Sequence, residues 1–389
     1  MWLSDFRLVL PDRVIDRGAL RVEDGRIAEI RETPVAGAAI DGAGLILLPG
    51  FIDMHGDMIE REVEPRPGVR MPLALGLRDL DRRLKVAGVT TAYAAVSFNP
   101  SSAYGHIRHF DSTKDMLRGL KAMRPQLAVD HRVHARFEIT FPDALSVVEE
   151  LIAEGTVDLV SLTDHTPGQG QYRDLERHIR NVAKNGNLSE DDARVVVAER
   201  IERKTVSPER LESVLRAMTS ACRVHDLPLA SHDDDSPEKV ALMQDLGATI
   251  SEFPVTLEAA RAARQAGMAN AMGAPNALRG LSYSGNLSAR EAHAAGLLDI
   301  LAADYHPSAI LPAVLALAET DPEGLAGAAR LATANVADAL GLVDRGKIAE
   351  GLAADLVIAD GNGIGHVRAT LRGGQVIFSD GTLTSRSAA

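Results

Sequence analysis

Hydrophobic positions along the chain fall into two textures. Near the start, short runs such as "FRLVL", "GALRVEDGRIAEI" and "AAIDGAGLILLPG" are punctuated by glycines at 18, 25, 42, 44 and 50, without a helical period. The far end, "GKIAEGLAADLVIADGNGIGHVRATLRGGQVIFSDG", repeats that texture. Both segments read as strands and turns, so residues 1–48 and 346–389 are expected to form one small β domain, with the middle of the chain inserted.

Residues 49–345 alternate instead. The β-like runs "FIDMH", "TTAYAAVSF", "HARFEIT", "VDLVSLTDH", "LPLASHDD", "GATISEF", "MANAMGAP" and "LLDILAADY" are separated by amphipathic stretches at 72–87, 112–124, 143–154, 190–225, 236–246, 257–267 and 308–318. Strands alternating with helices predict a parallel sheet. Eight of them in this length predict an α/β fold closed as a (β/α)8 TIM-type barrel, whose usual size is about 250 residues. An open doubly wound sheet is the rival, but the G-x-G-x-x-G fingerprint expected after its first strand is missing.

The pattern becomes chemical at the strand ends. In "FIDMHGD", His55 and Asp57 are two residues apart and share a face if the strand continues. That pair alone fits two metal ligands, a catalytic dyad, or a hydrogen-bonded pair at a strand end. Glu138, His165, His232 and Asp304 end four further candidate strands. Barrel strand tips converge on one face, so six nitrogen and oxygen donors from five strands point to one or two divalent ions. Zinc suits the set first, and manganese or iron also fit. Each residue taken singly has a structural reading. His106, His109, His131, His134, His178, His293 and His366 are left as structural histidines, and Asp164, Asp233, Asp234 and Asp235 as caps or loop carboxylates. Ser236 before Pro237 is read as a helix N-cap.

Composition narrows the partners. Of 389 residues, 46% are hydrophobic and 25% charged, which suits a soluble protein with a sizeable core. The formal net charge of −12 argues against nucleic acid or an anionic membrane as partner, and no apolar run is long enough to span a bilayer. A single cysteine, Cys222, excludes an internal disulfide and fits the cytoplasm. The N-terminal stretch reads as a first strand and not as a signal peptide. Nothing in the pattern decides for or against a homo-oligomer.

"LLPGFIDMHGD", "GVTTAYAA", the strand-end His165 and His232, "AADY" and "GKIAEGLAADLVIAD" together resemble the amidohydrolase superfamily over nearly the whole chain. The resemblance implies a metal-bearing barrel with a small β-sandwich made from both chain ends. It also implies that His55, Asp57, Glu138, His165, His232 and Asp304 hold the metals. Most members carry His-x-His where this chain has His-x-Asp, and many use a carboxylated lysine as bridge, for which Glu138 is the natural substitute here. Many members also draw on histidines of strands five and six, whereas these candidates fall on strands one, three, four, five and eight. "RFEIT", "TDHTPGQGQY", "ASHDD" and "GAPNALRGLSYSGN" resemble one branch in particular, diphosphatases of phosphonate utilisation that act on a sugar 5-triphosphate.

A small anionic phosphorylated sugar calls for arginine clamps. Arg66 and Arg70 flank the turn Pro67-Gly68 after the first strand, on the face where the candidate ligands lie. The loop after the seventh strand offers Asn276, Arg279, Ser282 and Ser284, where barrels commonly bind phosphate. Lys204, Arg82 and Arg83 read as solvated helix faces. The expected chemistry is metal activation of water with Asp304 as general base and catalytic residue. The alternative is hydrolysis of a C–N bond, in a cyclic amide, an N-acyl group or a nucleobase.

Overall fold

The computed structural model describes residues 1–100, 106–282 and 285–383. Five strands open the chain: β1 (Trp2–Val9), β2 (Val14–Glu23), β3 (Arg26–Arg31), β4 (Ile40–Asp41) and β5 (Ile46–Pro49). Gly50 alone separates β5 from the barrel, whose strands are β6 (Phe51–Gly56), β7 (Val89–Ser97), β8 (Asp130–Glu138), β9 (Leu159–Thr163), β10 (Leu229–His232), β11 (Ile250–Glu252), β12 (Ala269–Gly273) and β13 (Ile300–Ala302). These are the eight runs read from the sequence, paired in parallel in chain order. The barrel closes between β13 and β6, where Asp304 N–H donates to His55 O (2.8 Å) and Asp57 N–H donates to Asp304 O (2.7 Å).

The strands are covered on both sides, as parallel strands are, and most of their residues are buried. All six residues of β6 and all five of β9 are buried. Ile52, Leu159, Ala230, Ile250 and Ile300 fill the barrel interior below the mouth, against Val336 and Leu340 from a helix at its base. The helices are α1 (Ile59–Val63), α2 (Leu73–Val86), α3 (Phe110–Met123), α4 (Leu145–Ala153), α5 (Leu175–Gly186), α6 (Glu190–Lys204), α7 (Pro208–Val224), α8 (Pro237–Asp245), α9 (Leu257–Gln265), α10 (Ala274–Arg279), α11 (Ala289–Ala294), α12 (Ile310–Ala318), α13 (Gly324–Arg330) and the basal α14 (Ala334–Ala339). All but α5, α6 and α14 contribute to the core on the outer faces of the strands. Side-chain caps start several of them, including Ser236 on α8 as expected, each worth about 1 kcal/mol.

The single helix expected over 190–225 is two. Ser207 caps α7 and Pro208 occupies its first turn, where a missing N–H costs nothing but would break a continuing helix. α5 and α6 form a hairpin with its own small core of Ile179, Ala183, Ala193 and Val197, above the barrel's fourth strand.

The chain ends with β14 (Leu356–Asp360), β15 (His366–Arg372) and β16 (Gln375–Ser379). They join the opening strands in one sheet ordered β16-β15-β14-β5-β1-β2-β3, with β4 on β1. The sheet folds over itself: Leu20 and Val22 of β2 share a core with Leu356, Ile358, Ala369 and Leu371 of the far end, and the β2–β3 turn bonds residues 352–354. This is the small β-sandwich. Among the described residues, no helix is long and apolar enough to cross a membrane.

Candidate active site

Alternation along β8 turns His134, Arg136 and Glu138 toward the mouth. β6, whose register is irregular between Asp53 and Gly56, brings His55 and, just past its end, Asp57 there. Asp53 instead accepts from the N–H groups of His55 (3.1 Å) and Ala303 (2.8 Å). β10, β11 and β13 end at His232, Glu252 and just before Asp304. Three tip residues, Asp233, Phe253 and Asp304, hold left-handed backbone (φ 54°, 53° and 54°). Such conformations disfavour L residues and are retained where neighbours over-determine them, typically at functional sites.

Two groups of donors form. His55, His134 and Glu252 lie together and fully buried; His165, His232 and Asp233 form the second group. In the first, Glu252 Oε1 sits 3.1 Å from His55 Nδ1, leaving His55 Nε2 facing Asp57 at 3.5 Å. Both ring nitrogens of His134 are engaged, by Met54 O (3.1 Å) and Ser161 Oγ (2.9 Å). In the second, Glu138 Oε2 sits 2.6 Å from His165 Nδ1, leaving Nε2 toward Asp233 at 3.9 Å. Glu138 Oε1 accepts from Lys204 Nζ (2.9 Å), Thr140 Oγ1 (2.9 Å) and His165 N–H (3.1 Å). A carboxylate on one imidazole nitrogen fixes the tautomer and aims the other, the arrangement found behind metal-ligating histidines.

Arg136 spans the two groups. Its Nη1 donates to Asp57 Oδ1 (2.9 Å), and its Nη2 lies 3.4 Å from His165 Nε2. Burial alone would raise the Asp57 pKa, but Arg136 and His55 overcome it and hold the carboxyl far below its usual range. Burial lowers His55, and Glu252 and Asp57 more than reverse this, so the net shift is upward. A pocket that presses a proton onto a buried imidazole is one that favours a cation. Burial, then the nearby Asp57 charge, raises Asp304 to about 6.

The fit to a metal rests on unsatisfied atoms. Both ring nitrogens of His232, Oδ2 of Asp233 and Oε2 of Glu252 are buried without a hydrogen bond among the described residues. His232 Nδ1 comes within 3.1 Å of Asp233 Oδ2 but not at hydrogen-bonding angles. Buried polar atoms are rarely left so, and a His and carboxylate set of this kind suits a divalent ion.

Above the donors opens a cavity of about 760 Å³. His55, Asp57, His232 and Asp304 line its floor, and Arg61, Arg108, Arg136 and Arg279 line its walls with Asn276 and Ser282. Asn276 Oδ1 also accepts from Ala289 N–H (2.9 Å). Ser284 lies outside the described residues. The turn at Pro67-Gly68 forms, with Val69 N–H donating to Arg66 O (2.9 Å) and Gly68 at φ 75°. It points Pro67, and neither flanking arginine, into the cavity: Arg70 turns to Glu64 Oε2 (3.2 Å) and Ser112 Oγ (2.8 Å).

One expectation is corrected. Lys204 is not on a solvated face: it is 7% exposed, bonded to Glu138 and 5.0 Å from the Phe141 ring centroid. His134 and Asp233, read as structural or capping, lie beside the other donors, His134 with both ring nitrogens hydrogen-bonded within the protein. Glu252 and Arg136 were missed altogether. Glu252 ends its strand as His232 does and pairs with it in register, so its position was the available signal; Arg136 sits two residues before Glu138 on the same face.

No family model matches the chain. Solved structures match over its whole length. A 5-methylcytosine deaminase from Klebsiella pneumoniae, liganded with 5-fluorocytosine, gives a TM-score of 0.67 at 17% identity over 100% of this chain and 99% of that one. An N-acetyl-D-glucosamine-6-phosphate deacetylase from Mycobacterium smegmatis gives 0.65 at 16% identity, over 97% and 99%. These likenesses show the fold, a (β/α)8 barrel carrying a small β-sandwich, and the chain carries candidate metal-ligand groups where the barrel strands end. A curated alpha-D-ribose 1-methylphosphonate 5-triphosphate diphosphatase from Escherichia coli (strain K12) is 36% identical over 364 residues, 92% of this chain and 95% of that protein. The chain belongs to that diphosphatase family and is a hydrolase.

Proposed function

We propose that the chain hydrolyses the 5-triphosphate of α-D-ribose 1-methylphosphonate, releasing pyrophosphate and leaving the 5-phosphate. The observation that carries this reading is the set of four arginines around a cavity floored by buried His and carboxylate donors. Arg61 and Arg279 have no ion-pair partner among the described residues, while Arg108 is held by Glu60 (2.6 Å). Such a wall suits a polyanion, and guanidinium groups match phosphate oxygens two at a time. A C–N substrate asks for less positive charge.

In this reading His55, Asp57, His165, His232 and Asp304 hold one or two divalent ions, zinc foremost. Asp233 lies beside them, and Glu138 and Glu252 aim His165 and His55. The ion supplies Lewis acidity and an activated water. Arg136 fixes Asp57 and adds a permanent positive charge between the donor groups, which favours one ion over two. Asp304, with its raised pKa, accepts the proton of the attacking water. Arg61, Arg108 and Arg279 orient the polyphosphate and offset charge on the departing pyrophosphate. The phosphate-clamping role expected of Arg66 and Arg70 passes to Arg61 and Arg108.

We take residues 49–345 as the catalytic unit and 1–48 with 346–389 as its companion, acting in the cytoplasm. The test is pyrophosphate release from the ribose triphosphate by metal-loaded protein, beside cytosine and N-acetyl sugar substrates. Release of pyrophosphate alone supports the proposal. Turnover of a C–N substrate without pyrophosphate overturns it.

A further inference from the structure

A second cavity, about 450 Å³, opens beside the first, between the α5–α6 hairpin and the loop after β12. Gln171 and Asn286 line both cavities, and Asn286 Nδ2 donates to Gln171 O (3.4 Å), so the two spaces meet at this contact. The annex is built around unmatched positive charge. Arg177 and Arg200 face it, and among the described residues neither has a carboxylate within ion-pair distance. Their neighbour Arg194, on the hairpin's outside, pairs with Glu176 at 2.7 and 2.6 Å. The annex's one acid, Asp174, is engaged as the cap of α5 through Arg177 N–H (2.9 Å).

Two more features bear on a ligand. A side chain at Gly285, which has φ 71°, would collide with the Arg177 guanidinium, so the loop backbone and that cation are packed together. The His178 ring lies tilted by 47° with its centroid 4.3 Å from that of Tyr172, and its buried Nε2 has no partner among the described residues. Burial and Arg200 lower its pKa, so the imidazole there is a neutral donor or acceptor. Val182, Leu188 and Val196 supply an apolar wall. The unpaired guanidinium groups suit a phosphorus oxyanion, and the apolar wall beside them suits one that bears a methyl group.

We propose that the annex binds the methylphosphonate end of the substrate, while the triphosphate end lies toward Arg61, Arg108 and Arg279. The identity of the ligand rests on the proposed function; the anion site itself does not. Arg177→Ala and Arg200→Ala, in the full chain loaded with metal, are compared on two substrates: the ribose 1-methylphosphonate 5-triphosphate and ribose 5-triphosphate, which lacks the phosphonate. The expected result is a KM raised roughly 10- to 100-fold for the first and unchanged for the second, with Arg200→Lys recovering part of the loss. Equal effects on both substrates, or none on either, overturn the assignment. Calorimetric titration with methylphosphonate alone, on wild type and on Arg200→Ala, separates the two proposals. Arginine-dependent binding in a protein that releases no pyrophosphate keeps the site and removes the function. Pyrophosphate release with neither binding nor a KM effect does the reverse.

Discussion

Glu252 and Glu138 each turn one oxygen to Nδ1 of a histidine, at 3.1 Å from His55 and 2.6 Å from His165, but their surroundings differ. Glu252 is sealed inside the barrel, with His134 3.7 Å from its second oxygen and no exposed surface. Burial opposes its charge, and His134 and His55 overcome this, holding it at about 2. Glu138 stands at the rim and is also held at about 2, by His165 and Lys204 against burial. Lys204 ends α6, so the aim of His165 depends on a hairpin with its own separate core. One histidine is thus positioned by the barrel wall and the other by an inserted element. The same device belongs to the barrel wall on one side of the site and is held by an inserted hairpin on the other.

The comparison can be broken by substitution. His55→Ala removes the donor shared by the floor and the cavity, and is expected to abolish both bound metal, by elemental analysis, and turnover. Glu252→Gln leaves charge unbalanced in the barrel interior. It should cost about 3–5 kcal/mol in chemical denaturation and also weaken metal binding. Glu138→Gln should lower metal affinity and kcat/KM by about 10- to 100-fold with a stability change near 1 kcal/mol. A loss of stability equal to that of Glu252→Gln would show that the two pairs are held alike. Lys204→Met removes the tie between the hairpin and Glu138 and should lower kcat/KM by about 10-fold while speeding proteolysis within 175–204. Cys222 is a control outside both pairs: burial pushes its thiol to about 12, so thiol reagents should label it only after unfolding.

The barrel was legible because short β-like runs alternate with amphipathic helical stretches eight times, and most of those runs are buried throughout. Most tip residues could be read for the same reason. Glu252 escaped because Phe253 follows it, so the run "GATISEF" reads as closing on an apolar residue. Lys204 escaped because α6 is charged on most of its surface, and nothing local says that its last residue reaches Glu138, 66 positions earlier. The turn at Pro67-Gly68 was legible from its own residues, whereas the directions of Arg66 and Arg70 depend on Glu64 and Ser112. Local chemistry fixes a bend; distant partners decide where long side chains point.

The pairing of β5 with β14 joins Leu47 to Ile358, more than 300 residues apart. During synthesis at about 5–20 residues per second, the opening strands therefore wait some tens of seconds for their partners. β1, β2 and β3 can form a meander meanwhile, but one edge of β5 stays without its neighbour until the catalytic barrel has been made. An unpaired edge of that kind is a point of entry for misassembly. The order of birth thus places a risk of misassembly at β5, one glycine before the strand that carries His55.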